Sequence, residues 1–346
     1  MDGIQINKPL SLEVISKKEV FDNVDSVKIK IKKALMTPED FQTFEGNPDI
    51  NYPIIPARVA IGLVSETGGK NADFSRGDKV FPHPEIACGK CLECAEGDTE
   101  HCSSFLVAGK NCDGFLRDFV VTSGENVSAL TRSESDNKAL FTDNDALFLN
   151  HIALCVNVVN AIDVQQGEHV VIVGGDALGI ILAQLIIYYQ GVPILVDNND
   201  ENIIVAKNAG VYYTLFADNK IEKNVSELTG ARLSGKVVYM TGSNLNTDIA
   251  LKLAGNNATV CFAGFATPPL RVNFSNALSK NLQFRCVTNG YGSIESSINL
   301  LALKAVNVGV FTVPVVKQEQ AADKIKEIAK SAKRSASSKM LIIEMA

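Results

Sequence analysis

The sequence predicts an α/β chain of two domains, an all-β region followed by a doubly wound parallel sheet. Three observations predict it. Before about Asp143, short β-branched segments are separated by Gly and Pro turn signals, and no long 3.6-residue period appears. From about Ala146, apolar runs of four to seven residues alternate with amphipathic helical stretches, the pattern of a parallel sheet covered on both faces. The chain has 346 residues, too many for one small core and suited to two domains of ordinary size.

In the first region LSLEVISK, SVKIKIKKAL, ARVAIGLVSETG and RGDKVFPH read as strands, and DGFLRDFVVTSGENVSAL as two more. In the second, HVVIVGG, VPILVDNN, KVVYMTG, ATVCFAG and QFRCVTNG read as strands, and LGIILAQLIIYYQ and ENIIVAKNAG as helices. The stretch Val170 to Tyr189 is nearly long enough to span a bilayer, but Gly174-Gly175-Asp176 interrupts it. It therefore reads as strand, tight turn and buried helix. After Gly292 come a helix (SIESSINLLALKAVNVG), a strand (FTVPVV), a helix with Lys333 and Arg334 in its last turn, and a final strand, KMLIIEM.

Hydrophobic residues make up 46% and charged residues 21%, a globular balance. The net charge of −6 supplies no basic field to neutralise phosphates, so nucleic acid and anionic membrane are not expected partners. The opening MDGIQINKPL has neither a basic nor an apolar signal region. Four of the eight cysteines crowd into Cys88–Cys102 and four are scattered. That is the usage of a reduced cytoplasmic protein with one metal site, not of a secreted disulfide scaffold. Cys112, Cys261 and Cys286 are expected as buried apolar fillers.

The sharpest motif is Cys88-x-x-Cys91-x-x-Cys94-x7-Cys102. Four thiolates this close, in turn-rich surroundings, can wrap tetrahedrally around Zn²⁺. An iron–sulfur cluster of the bacterial ferredoxin type wants its fourth cysteine much nearer. With four protein ligands the ion has no open position, so it braces a loop and does no chemistry.

The segment VVIVGGDALG follows a strand and opens a helix, the context of a dinucleotide fingerprint. The turn reads Gly174-Gly175-Asp176-Ala177-Leu178-Gly179, and Asp197 closes the next strand eighteen residues beyond Gly179. An acid there hydrogen-bonds ribose hydroxyls and repels a 2′-phosphate, which favours NAD(H) over NADP(H). Thr241 and Gly264, following later strands, complete the expected cofactor-binding set.

The cysteine spacing follows a GDKV strand at Gly77–Val80 and precedes a DGxxxxF segment, Asp113-Gly114 through Phe119, and then the nucleotide fold. In this order the chain resembles the zinc-containing alcohol dehydrogenase-like members of the medium-chain dehydrogenase/reductase family over essentially its whole length. The resemblance implies a GroES-like β domain formed by residues 1–150 and 285–346, with its zinc lobe at 88–102. It also implies a Rossmann domain inserted at 151–284, and a homodimer or homotetramer.

It also exposes departures. The family's CGSD stretch, which supplies one catalytic zinc ligand, corresponds to Thr37-Pro38-Glu39-Asp40. Its GHE motif corresponds to Ala57-Arg58-Val59, and its third ligand falls near Asn150. A hydroxyl, a guanidinium and an amide do not hold Zn²⁺, and arginine brings a permanent positive charge to the spot. His151 and Cys155 lie nearby without a partner set. Either Arg58 pairs with Glu39 or Asp40 and merely fills the vacated pocket, or Arg58 replaces the metal as a clamp on a carbonyl oxygen or carboxylate. In the second case Glu39 serves as general acid or base. The family's second fingerprint glycine is here Asp176, whose carboxylate repels a pyrophosphate or caps the following helix.

Two functions follow. One is a zinc-independent oxidoreductase moving hydride between NAD(H) and a small carbonyl, polyol or activated alkene. The other is a non-catalytic relative that serves as a binding or scaffold protein with impaired nucleotide binding.

Overall fold

The computed structural model describes residues 2–16, 21, 24–69, 73–130, 140–264, 270–331 and 339–346. The chain divides into two compact units. One holds the residues up to Asn150 together with the C-terminal return that begins at Val313; the other is His151–Thr312.

In the first unit the strands are β1 (Asp2–Lys8), β2 (Ser11–Ser16), β3 (Ser26–Met36), β4 (Val59–Thr67), β5 (Lys79–Pro82), β6 (Glu85–Ile86), β7 (Leu106–Val107), β8 (Phe119–Ser123) and β9 (Val127–Ala129). The alternation in SVKIKIKKAL is realised in β3, where Val27, Ile29 and Ile31 point inward at 0% exposure and the lysines between them do not. A strand patterned this way can sit at the centre of a sheet. β3 pairs antiparallel with β4 along most of its length and with β8 along its first half. β1 and β2 form a separate antiparallel hairpin, and β6 pairs with β7. The helix Pro38–Glu45 leaves β3 with Pro in its first turn and ends at Gly46, whose φ of 113° only glycine adopts freely. It buries Phe41 and Phe44 in the core of this unit.

The second unit is one six-stranded sheet. β10 (His169–Val173), β11 (Val192–Asp197), β12 (Tyr213–Phe216), β13 (Ser234–Met240), β14 (Ala254–Ala263) and β15 (Gln283–Val287) lie in the order β12-β11-β10-β13-β14-β15, every neighbour parallel. This is the doubly wound 3-2-1-4-5-6 arrangement, whose strand order reverses between β10 and β13. Both faces of β10 are covered, which is why it reads as an unbroken apolar run. The bilayer-length stretch resolves into β10, a turn and the helix Ala177–Tyr188; no helix of the described residues is long and apolar enough to cross a membrane.

The return closes the first unit. β16 (Val315–Lys317) is parallel to β17 (Leu341–Glu344), and β17 adds to β3, so one seven-stranded sheet unites the two ends of this chain. Between them the helix Gln318–Lys330 buries Ala321, Ile325 and Ile328 on one stripe. Lys333 and Arg334 lie outside the described residues.

Two expectations change. The return to the first unit starts at Val313 instead of 285, because QFRCV pairs with β14 as an edge strand of the parallel sheet and the helix Ile294–Ala302 stays with it. Cys286 is exposed on that edge, whereas Cys261 is buried one strand inward and Cys112 is half-buried. A filler role fits Cys261 alone among the three without qualification.

Candidate functional site

The four cysteines converge. Their Sγ atoms all lie within 4.8 Å of one another, with Cys91–Cys102 at 3.8 Å and Cys88–Cys94 at 4.0 Å. A tetrahedron with Zn–S near 2.3 Å has edges of about 3.8 Å, and a disulfide would need about 2.05 Å. The loop supplies the outer bonds as well. The amides of Lys90 and Cys91 donate to Cys88 Sγ at 3.4 Å each, and that of Cys88 donates to Cys102 Sγ at 3.2 Å. Gly89, at φ 67°, makes the turn that aims them. Those amides lower the Cys88 thiol to about 6, toward the thiolate a metal requires, while burial and the neighbouring thiols push that of Cys94 up to about 12. The residues fit one structural zinc. Among the described residues no other group of three or more His, Cys, Asp or Glu side chains could hold a metal.

A second cluster lies in the same unit, built on the start of the helix Pro38–Glu45. Asp40 is 1% exposed, and its carboxylate accepts three hydrogen bonds: from Thr37 N at 2.9 Å, Thr37 Oγ1 at 3.0 Å and Ala57 N at 2.9 Å. Burial raises its pKa above the ordinary 3.8, opposed first by the Arg58 guanidinium and then by the Thr37 amide. Thr37 and Arg58 are also buried, and Glu39 is half-buried. The structure therefore brings Thr37, Asp40 and Arg58 together, with Asp40 the carboxylate bonded into the cluster. Glu39 acts on it only as a nearby like charge.

The loop that presents Arg58 is held in an unusual conformation. Ala57 has φ 69° although it carries a Cβ and is fully buried. Its N–H goes to Asp40 and its carbonyl accepts from Phe115 N at 2.7 Å. The Asp113-Gly114 pair is the clamp. Asp113 Oδ1 accepts from Ile55 N at 3.0 Å, and Gly114 N donates to Ile55 O at 2.7 Å. A Cβ on Gly114 would stand 2.5 Å from Pro56 O and 2.6 Å from Ala57 O. The DG motif thus has a mechanical reason: it lets the chain approach the backbone on which Arg58 is mounted.

Asn150 is 5% exposed and sits beside Glu85, which is 2% exposed; Nδ2 of the amide is 3.5 Å from Oε1. Sequence reasoning missed Glu85, which stands in a two-residue strand with no motif around it. His151 and Cys155 do not join a ligand set; the Cys155 thiol donates to Leu178 O at 3.3 Å. Thr37 with its hydroxyl given to Asp40, a guanidinium and a carboxamide are a poor donor set for Zn²⁺, and the residues present do not fit a catalytic zinc.

The nucleotide set gathers in the second unit at the C-terminal ends of the strands, where doubly wound sheets bind ligands. Gly174 follows β10, Asp197 ends β11, Thr241 follows β13 and Gly264 follows β14. Gly174 has φ 114°, and a Cβ on Gly179 would stand 2.0 Å from Gly174 O, so helix and turn approach as closely as backbone allows. Thr241 N donates to Ala263 O, and its Oγ1 is 2.8 Å from where a Gly264 Cβ would stand. Asp197 is 5% exposed and accepts from Gly175 N at 2.5 Å and Asn199 N at 2.7 Å. Beyond it lies an open surface groove of about 560 Å³ lined by Asn198, Asn199, Asp200, Glu201 and Asn244, polar residues that the fingerprint did not flag. Close-packed glycines at these strand ends are where a doubly wound sheet takes a dinucleotide. Asp176 is the N-cap of the helix Ala177–Tyr188 and accepts from Gly179 N at 2.9 Å, so the capping expectation is met. Ala177 and Leu178 form the first turn behind it.

A family model for the alcohol dehydrogenase GroES-like domain matches residues 23–132. An uncharacterized zinc-type alcohol dehydrogenase-like protein of Haemophilus influenzae is 24% identical over 323 residues, which is 92% of this chain and 92% of the relative. The sorbitol dehydrogenase of Halalkalibacterium halodurans is 26% identical over 261 residues, 74% of each chain. A galactitol-1-phosphate dehydrogenase from Escherichia coli has a TM-score of 0.84 at 20% identity, over 99% of this chain and 100% of that one. A short chain alcohol dehydrogenase from Escherichia coli complexed with the cofactor NADH has a TM-score of 0.84 at 19% identity, over 99% of both chains. At these identities the solved structures share the fold.

Proposed function

We propose that this chain is a member of the medium-chain dehydrogenase/reductase family, as its GroES-like domain match and its zinc-type alcohol dehydrogenase-like relative support, and an NAD(H)-dependent, alcohol dehydrogenase-like oxidoreductase that works without a catalytic zinc. The substrate class is a small carbonyl, polyol or activated alkene. The nicotinamide ring supplies the hydride donor or acceptor when the cofactor is bound.

The observation that carries this reading is the buried cation Arg58, mounted on the strained Ala57 at the position where the family's motif supplies a zinc-ligating histidine. A guanidinium held in low dielectric stabilises negative charge that builds on a carbonyl oxygen as hydride arrives, as a metal otherwise does. Asp40 is a positioning residue, because its three hydrogen bonds set the Thr37 amide and the Ala57 backbone. Glu39, half-buried one residue earlier, is the group assigned to exchange the proton. Asp197 and its acidic neighbours Asp200 and Glu201 favour a free ribose 2′-hydroxyl over a phosphate, hence NAD(H). Four of the eight cysteines gather in the thiolate cluster and none is in a disulfide, the usage of a reducing cytoplasm. Phe274 and Leu278, 61% and 79% exposed, support burial in a homodimer or homotetramer.

The test is NADH turnover against a panel of small aldehydes, ketoses and polyols, using protein that holds only the thiolate-bound zinc. Arg58→Ala should lower kcat by about a hundredfold or more, with Arg58→Lys between it and the wild type. Equal turnover by Arg58→Ala on a substrate the wild type uses removes the proposal.

The second reading, a non-catalytic binding or scaffold protein, is favoured by one observation: a side-chain carboxylate already occupies the helix terminus of the fingerprint. It predicts no turnover on the panel and no response to millimolar NADH.

A further inference from the structure

We propose that Asp176 is a tethered anion that a dinucleotide pyrophosphate must displace, so that this one residue sets how the chain ranks phosphorylated against unphosphorylated adenosine ligands. The inference rests on the nucleotide-site reading above and concerns the affinity of that site.

The geometry has two independent parts. Asp176 Oδ1 accepts from Gly179 N at 2.9 Å, so the first-turn amide of a twelve-residue helix is served by the chain's own carboxylate. The helix N-terminus favours an anion through its unpaired amides and dipole, and here that anion is covalently attached. The second part is across the sheet. Asp176 Oδ2 lies 2.8 Å from where a Cβ on Gly242 would stand, in the turn that follows β13. The absence of a side chain at Gly242 is what leaves room for the carboxylate in this rotamer. The charged group therefore lies in the crevice between the ends of β10 and β13, where the strand order reverses. A ligand crossing that crevice meets it first.

The nucleoside end is handled by other residues. Asp197, Asn199 and the polar groove beside Asp200, Glu201 and Asn244 lie beyond the end of β11. An adenosine ring and ribose seated there leave the pyrophosphate to meet Asp176 where the turn after β10 faces Gly242, in the turn after β13. Like charges about 5 Å apart at an effective dielectric near 20 cost about a hundredfold in affinity. Moving the side chain aside instead loses its cap. Each route penalises phosphate and leaves the nucleoside untouched.

The experiment measures dissociation constants of adenosine, ADP and NADH for the full chain by calorimetry, with wild type, Asp176→Asn and Asp176→Gly. Asn keeps an oxygen for the Gly179 amide, so the helix cap survives while the charge goes. The expected result is NADH and ADP binding about a hundredfold tighter in Asp176→Asn, with adenosine within about threefold in all three proteins, and a gap that narrows as salt rises. NADH binding equally tightly to wild type and Asp176→Asn overturns the proposal and leaves the oxidoreductase reading standing. Adenosine tightening as much as NADH also overturns it. NADH binding to none of the three proteins, while adenosine binds, overturns both the proposal and the NAD(H) reading.

Discussion

Replacing Asp40 by alanine is the most informative perturbation of the first unit. The carboxylate is 1% exposed and accepts from two backbone amides and one hydroxyl at 2.9 to 3.0 Å. Removing it leaves the Thr37 and Ala57 amides without an acceptor, at about 1 kcal/mol or more each. It also takes away the carboxylate whose ionised form the buried Arg58 guanidinium favours. These losses overlap, since one group serves all of them, and about 2–3 kcal/mol is the expected destabilisation. Ala57, no longer anchored at φ 69°, can relax, which moves the backbone of Arg58. Equilibrium urea unfolding measures the loss, and a double-mutant cycle with Arg58→Ala isolates the coupling. The two single effects should not add, because the Arg58 guanidinium acts on the Asp40 carboxylate. A loss below about 1 kcal/mol, or strictly additive single effects, refutes the argument that Asp40 and Arg58 form one unit.

The remaining predictions use the same logic. Because burial raises the Asp40 pKa above its unfolded 3.8, the stability gained from its bound proton is fully present below that value and is lost as pH rises through the folded pKa. The stability–pH curve just above pH 3.8 should therefore flatten in Asp40→Asn; an unchanged slope places the titration elsewhere. Gly114→Ala puts a Cβ 2.5 Å from Pro56 O, and Gly179→Ala puts one 2.0 Å from Gly174 O. Both should cost about 3 kcal/mol or more, read as urea midpoints, and Gly179→Ala should also abolish NADH binding. Chelation of zinc, or Cys91→Ser, should open the 88–102 loop to proteolysis before the rest of the chain is cut. It should not remove a catalytic group, so turnover should survive in intact protein at low temperature.

What the sequence made legible was local. The cysteine ligands lie within one loop, so their spacing alone announced the cluster. The N-capping aspartate stands three residues before the amide it serves, and β3 carries its own alternation. What stayed hidden depends on partners far along the chain. QFRCV is a strand by composition, but nothing in five residues says that it joins β14, so the sequence alone does not separate a return to the first unit at 285 from the observed one at 313. The opening DGIQINK forms β1 because β2 and the 116–118 backbone pair with it, not through any pattern of its own. The left-handed conformation of Ala57 is imposed by Asp40 and Phe115, and an alanine gives no hint of it. Glu85 was unreadable for the same reason: its burial is a tertiary fact.

The central claim is that a permanent cation, not a second metal, occupies the position around Arg58. Metal analysis of the purified chain by mass spectrometry, with and without Cys91→Ser, tests it most directly. The account predicts one zinc per chain, lost when the thiolate is removed, and NADH turnover that depends on Arg58. A second zinc that persists in Cys91→Ser and departs together with activity contradicts it.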